Sequence, residues 1–127
     1  MVTVSVDTSA LMLPVELDIR LFEELQRLLG DFDPIVSSSV LDELESLSAE
    51  GGQTGRAARV GLALAGEHCE PIETEQPVAD DAVLALASDG LAGYLVTADR
   101  ELATRARAAG ITTITPRGRR QLAIEPP

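Results

Sequence analysis

The stretch Val2-Thr3-Val4-Ser5-Val6-Asp7-Thr8-Ser9-Ala10-Leu11 decides how the rest of the chain is read. It begins as a run rich in β-branched residues, which pack well on a pleated surface, and ends on a carboxylate followed by two hydroxyl side chains. A strand buried in a parallel sheet is apolar along most of its length, and ligands in open α/β sheets gather at the carboxyl ends of such strands. Asp7 therefore falls at the position where an α/β sheet builds a site.

Working outward, Leu13-Pro14 is expected to break the backbone, and residues 16–29 read as an amphipathic helix. Ile19, Phe22, Leu25 and Leu29 share one face, and Gly30 stops it. Pro34-Ile35-Val36-Ser37 is a second short strand, parallel to the first because a helix separates them. Ser38 and Ser39 are cap candidates for a helix over residues 40–47, with Val40, Leu41, Leu44 and Leu47 on its inner stripe. Glu43 and Glu45 flank opposite rims of that stripe, and periodicity alone does not choose between them.

Beyond Gly51-Gly52, an Ala-rich helix over residues 54–67 carries Arg56 and Arg59 near its start. Cations there oppose the helix dipole at a cost of about a few tenths of a kcal/mol each, so another use for them is expected. A strand around Pro71-Ile72-Glu73 precedes a helix over residues 79–87 with Asp80 and Asp81 in its first turn, where the dipole favours acids. Residues 94–97 form a strand, Asp99 can cap a helix that Gly110 ends, and residues 111–115 are the last clear strand. This alternation predicts an α/β fold: three layers, α/β/α, around a mostly parallel sheet of about five strands.

The 127 residues fit one domain, 1–127, whose final segment, 116–127, is a basic tail opening Pro116-Arg117-Gly118-Arg119-Arg120. A chain of this size buries roughly two-thirds of its unfolded surface. Aromatics are 2% and Trp is absent, so Leu, Val, Ile and Ala make the core and stacking platforms for bases are scarce. The net charge is −11, with 21 acids against 10 bases, all of them Arg. Such a surface repels nucleic acid unless cations or a local basic patch reverse the field. An acidic, lysine-free balance resembles the proteins of salt-loving archaea, where ionic strength screens the repulsion.

Cys69 stands alone, which excludes an intramolecular disulfide and a Cys-rich zinc site. No apolar stretch approaches 18 residues, so no membrane segment is expected and a cytoplasmic location is. His68 is the only histidine; it gives neither a catalytic triad nor a zinc set and reads as structural. Gly51-Gly52 lacks the flanking residues of a phosphate loop.

Asp7 ends the first strand, Glu43 lies in the helix after the second, Asp81 opens the helix before the fourth, and Asp99 follows that fourth strand. Right-handed crossovers bring such positions to one edge of the sheet. Each acid alone has a plainer explanation: an Asx-turn for Asp7, helix capping for Asp80, Asp81 and Asp99, a solvated rim for Glu43. Together they repel one another, and a divalent cation with hard oxygen ligands, Mg²⁺ or Mn²⁺, makes the cluster tolerable.

Four motifs carry a family resemblance: Val6-Asp7-Thr8-Ser9-Ala10-Leu11, Ser39-Val40-Leu41-Asp42-Glu43-Leu44, Ala79-Asp80-Asp81-Ala82-Val83-Leu84-Ala85 and Val96-Thr97-Ala98-Asp99-Arg100. In this order, over nearly the whole chain, they resemble the PIN domain, a family of small metal-dependent nucleases. The resemblance implies that Asp7, Glu43, Asp81 and Asp99 are the catalytic, metal-binding quartet and selects Glu43 over Glu45. It makes Ser9 and Thr97 supporting hydroxyls, and it leaves room for Asp80 to share the role of Asp81. The paired acids and the closing arginines are most similar to archaeal relatives of the nuclease that trims small-subunit ribosomal RNA precursors, and next to VapC-type toxins.

The expectation is thus a phosphodiesterase acting on single-stranded RNA with one or two Mg²⁺ or Mn²⁺ ions, roughly 4 Å apart if two. Arg56, Arg59, Arg100, Arg117, Arg119 and Arg120 are candidates for RNA phosphate contacts. The rival readings are the toxin half of a toxin–antitoxin pair, silenced by an antitoxin's basic segment, and a non-catalytic RNA-binding assembly module. The family resemblance also implies a homodimer, and the processing role implies a ribosome-assembly partner.

Overall fold

A computed structural model describes residues 1–127. Its strands are β1 (Val2–Val6), β2 (Phe32–Ser37), β3 (Glu70–Ile72), β4 (Tyr94–Val96), β5 (Thr112–Pro116) and β6 (Leu122–Glu125). They form one sheet in the order β3-β2-β1-β4-β5-β6, parallel throughout except for the antiparallel β5–β6 pair. The first strand holds the centre, flanked by β2 on one side and β4 on the other, with Val4 and Val6 wholly buried. That two-sided burial is why its sequence is apolar nearly end to end.

Seven helices connect the strands: α1 (Thr8–Leu11), α2 (Leu13–Glu16), α3 (Leu21–Leu29), α4 (Ser38–Ser48), α5 (Gly52–His68), α6 (Ala79–Ser88) and α7 (Arg100–Ala108). The chain first steps from β1 outward to β3, then crosses back to β4 on the other side. Right-handed crossovers therefore put α1 to α5 over one face and α6 and α7 over the other. The change of direction falls between β1 and β4, and their carboxyl ends frame the crevice where such sheets bind ligands. Gly61 in the middle of α5 lets that helix close on α1; a Cβ there would stand 2.8 Å from the Leu11 carbonyl oxygen.

Several local expectations are corrected. The helix expected over residues 16–29 is two helices, α2 and α3, separated by a turn in which Asp18 takes φ +54°. Pro14 opens α2 instead of breaking the chain, because the N–H it lacks has no helical partner in a first turn anyway. Ser37, not Ser38 or Ser39, caps α4: its hydroxyl accepts from the Val40 N–H at 3.1 Å. The sheet has a sixth strand where a tail was expected. Arg117 N–H donates to the Gln121 carbonyl at 2.9 Å to close a tight loop, with Gly118 and Arg120 at positive φ, and β6 returns along β5.

Distant partners hold that last strand in place. Leu122 N–H donates to a Glu24 carboxylate oxygen at 2.9 Å, and Arg27 donates to the Leu122 carbonyl at 2.9 Å. The paired Arg27 keeps the Glu24 carboxyl below its ordinary range. No helix is long and apolar enough to cross a membrane.

Candidate active site

The sheet's own hydrogen bonds set the first half of the site. Asp7 N–H donates to the Val96 carbonyl at 3.1 Å and Thr97 N–H to the Ile114 carbonyl at 3.0 Å, so the end of β4 is locked between those of β1 and β5. Across the β1–β4 seam Thr97 Oγ1 and Ser9 Oγ each donate to Asp7 Oδ2 at 2.7 Å, and the two hydroxyls lie 3.1 Å apart. The chain after β4 is drawn into the same node: Ala98 N–H donates to Ser9 Oγ at 2.9 Å and Asp99 N–H to Thr97 Oγ1 at 3.0 Å. Asp99 then caps α7, its Oδ1 accepting from the N–H groups of Glu101 at 3.0 Å and Leu102 at 3.1 Å.

Asp7 is 2% exposed. Burial pushes its carboxyl above the ordinary range; the Thr97 and Ser9 hydroxyls and the Thr8 backbone pull it back, and the charge of Glu43 adds to the rise. Asp80 is also raised, by burial first and then by the charges of Asp7, Asp99 and Glu43, with Arg105 acting the other way. The charge of Glu43 thus reaches Asp7, and the charges of Asp7, Glu43 and Asp99 reach Asp80, over the carboxyl edge. Contacts between α4 and α6 bring Glu43 and Asp80 there, and the Ser39 hydroxyl ties α4 to the chain before α6 through the Gln76 carbonyl.

The structure does not bring Asp81 into this group. Successive helical residues are turned by about 100°, so when Asp80 looks inward Asp81 looks aside. Its Oδ1 takes an Arg105 guanidinium at 3.2 Å, with both side chains about half exposed. Of the two acids between which the motif left room, Asp80 is the one that shares the field of the cluster, and Asp81 is the one engaged by Arg105. Sequence could have flagged this only through Arg105, whose pairing with a residue 24 positions earlier has no local signature. Of the two acids on the rims of α4, Glu43 is the one whose charge raises Asp7 and Asp80.

The donor set is all oxygen. Both hydroxyl bonds fall on Asp7 Oδ2, which leaves its other oxygen without a hydroxyl partner, and the neighbouring Thr8 hydroxyl is buried with no partner. Two raised carboxyls, Asp7 and Asp80, beside further acids and with hard donors to spare, fit a divalent cation of the Mg²⁺ or Mn²⁺ kind. They do not form a closed cage: no three acidic, His or Cys side chains converge to ligating distance.

Of the expected RNA contacts, Arg56 and Arg59 lie on the first turns of α5. That helix is about 25 Å long and ends where β3 begins, at the amino edge, so its start stands out past the carboxyl edge. Arg59 is tied to the Ser48 carbonyl at 2.8 Å. Arg100 is exposed beside Asp99, Arg119 is exposed on the β5–β6 loop, Arg117 faces Glu125 at 3.8 Å, and Arg120 pairs with Asp18 at 3.2 Å. His68 stacks on Phe22 with ring centres 4.2 Å apart, away from the acids. Burial pushes the Cys69 thiol up to about 12, leaving it inert as a nucleophile.

Comparison with curated proteins gives no match. Among solved structures, one described as the PIN domain endonuclease Utp24 superposes with a TM-score of 0.81 at 26% identity, covering 98% of this chain and 92% of that one. A domain of a functionally unknown protein from Methanocaldococcus jannaschii gives 0.69 at 24% identity, covering 93% of each chain. VapBC2 from Rickettsia felis, solved with a promoter DNA fragment, gives 0.66 at 14% identity, covering 91% and 99%. These last two share the fold alone. The family described as "PIN like domain" matches residues 4–119, which include every acid of the cluster, and the chain accordingly belongs to that family.

Proposed function

We propose that this protein is a metal-dependent endoribonuclease that hydrolyses phosphodiester bonds of single-stranded RNA, and that its work lies in RNA processing, with ribosomal RNA precursors as the substrate class. The observation that carries the reading is the Asp7 carboxylate, buried at the switch point of the sheet and raised in pKa among three other acids. Nearly full-length similarity to a PIN domain endonuclease supports a nuclease over a passive assembly module.

In this reading Asp7, Glu43, Asp80 and Asp99 hold the cation, directly or through water, and Asp81 stands beside them as a partner of Arg105. A divalent ion bound there lowers the pKa of water and neutralises charge growing on the phosphate oxygens. The protein's own contribution is placement. Ser9 and Thr97 fix one oxygen of Asp7 and leave the other without a hydroxyl partner, and the α7 cap holds Asp99. Arginines around the edge offset the overall charge where RNA must approach.

The test is cleavage of an end-labelled single-stranded RNA by the purified chain with Mn²⁺. Internal cuts that stop on chelation are expected, and Asp7→Asn should abolish them while circular dichroism stays unchanged. Full activity in that variant rejects the assignment.

A further inference from the structure

Asp99, on one side of the acid cluster, lines a cleft of about 430 Å³ between α7 and the β5–β6 hairpin. Asp99 and Arg100 stand at its mouth, with Thr104 and Arg107 along the α7 wall and Thr115 and Glu125 on the sheet wall. In a protein of net charge −11 this wall holds two guanidinium groups, those of Arg100 and Arg107. Arg100 is exposed and forms no ion pair.

Arg107 is built in. Its Nη1 meets Glu125 Oε2 at 3.2 Å and Thr113 Oγ1 at 3.3 Å, and Glu125 is itself held by the Thr115 hydroxyl at 3.0 Å and by Arg117 at 3.8 Å. Both bonds leave from Nη1. The Nε–Nη2 edge, the side of a guanidinium that grips an anion with two parallel bonds, is not used by either. Glu125 thus orients a cation for another partner.

We infer that this cleft is the binding site for the RNA nucleotide adjacent to the one being cut, with Arg100 and Arg107 taking its phosphate. This rests on the ribonuclease reading above and extends it to the path of the strand. The cleft is in the size range of a small-ligand site and holds about one nucleotide. Its lining has no aromatic side chain, so it grips backbone without stacking a base, and it confers position more than sequence preference.

The test is a length series of oligouridylates cut by the full chain with Mn²⁺. For the wild type, KM should fall about tenfold when the oligomer is long enough to reach past the cut into the cleft. Arg100→Gln should erase that gain, act on KM more than on kcat, and flatten the slope of log KM against log salt by about 0.7, the share of one single-strand phosphate contact. Because Arg107→Gln would also loosen the Glu125 wall, Thr104→Glu is the companion variant: it keeps Glu125 in place and sets a carboxylate three residues from Arg107 and four from Arg100, where it competes with phosphate for both guanidinium groups, and should erase the same gain.

If the wild type cuts RNA but both variants keep its KM, length gain and salt slope, the cleft assignment is wrong and the nuclease reading survives. If the wild type cuts no RNA, both fall. Inhibition by micromolar uridine monophosphate would mark the cleft as a free-nucleotide site and overturn the proposal.

Discussion

The two halves of the acid cluster are built differently. Asp7 and Asp99 sit at the ends of adjacent strands, and hydroxyls and backbone N–H groups hold their carboxylates at 2.7 to 3.1 Å. Glu43 and Asp80 ride on helices α4 and α6, and their carboxylates accept no hydrogen bond from the protein. The strand-borne half is anchored by these bonds; the helix-borne half has no such anchor. Strand ends are positioned by the sheet, whereas helix-borne acids depend on how layers pack.

The sharpest test of that contrast is Asp80→Asn beside Asp81→Asn. Losing Asp80 should weaken Mn²⁺ binding by about 100-fold, whereas losing Asp81 should cost less than about threefold, as read by calorimetric titration. A larger loss at Asp81 would place the wrong acid in the cluster and break the comparison.

Thr97→Val tests the anchored half. It keeps the shape of a buried side chain but removes a donor to Asp7 and the acceptor of Asp99 N–H, so Mn²⁺ affinity should drop about tenfold and stability by about 1–3 kcal/mol. Ser9→Ala, at the less buried hydroxyl, should follow in the same direction with a smaller effect. Equal metal affinity in both variants would mean that the hydroxyl node does not orient Asp7.

A pH series gives a smaller signal of definite sign. The Asp7 carboxyl is raised above its ordinary 3.8, so the native state holds that proton more tightly than the unfolded chain does. The stability it contributes is complete below the ordinary value and is lost as pH rises through the raised one. Without metal, Asp7→Asn should therefore melt above the wild type by about 2–5 °C near pH 7, with the gap closing toward about pH 4. Mn²⁺ should reverse the order at neutral pH, since only the wild type gains from binding. An unchanged gap across that range would show that the buried charge is not what strains the metal-free protein.

Salt should give the smallest change. Going from about 0.1 M to about 1 M KCl shortens the screening length from about 10 Å to about 3 Å. The melting temperature should rise by a few degrees, through exposed acids such as Glu43 and scarcely through buried Asp7. A fall would remove the case for a protein adapted to high salt.

Local chemistry made much of this legible. The strand-to-carboxylate step at Asp7, the Asp99 cap and the Gly110 stop are each contained within a few residues and were readable as such. What stayed open or was missed involves partners far away in the chain. Whether Asp80 or Asp81 turns inward depends on how α6 sits over the sheet and on Arg105. Residues 122–125 show too little pattern to declare a strand, and become one because Glu24 and Arg27 anchor Leu122 to it. The division of residues 13–29 into two helices needed the turn at Asp18, which no periodicity announces.

By itself, then, the sequence determined the alternation of strand and helix, the apolar centre of the sheet and the family, because each follows from periodicities and short motifs carried by neighbouring residues. Tertiary structure alone decided which acids share a field, which arginine is held for another partner and where the last strand lies. Those depend on distances between side chains tens of residues apart, and a linear pattern holds no record of them until the layers have packed.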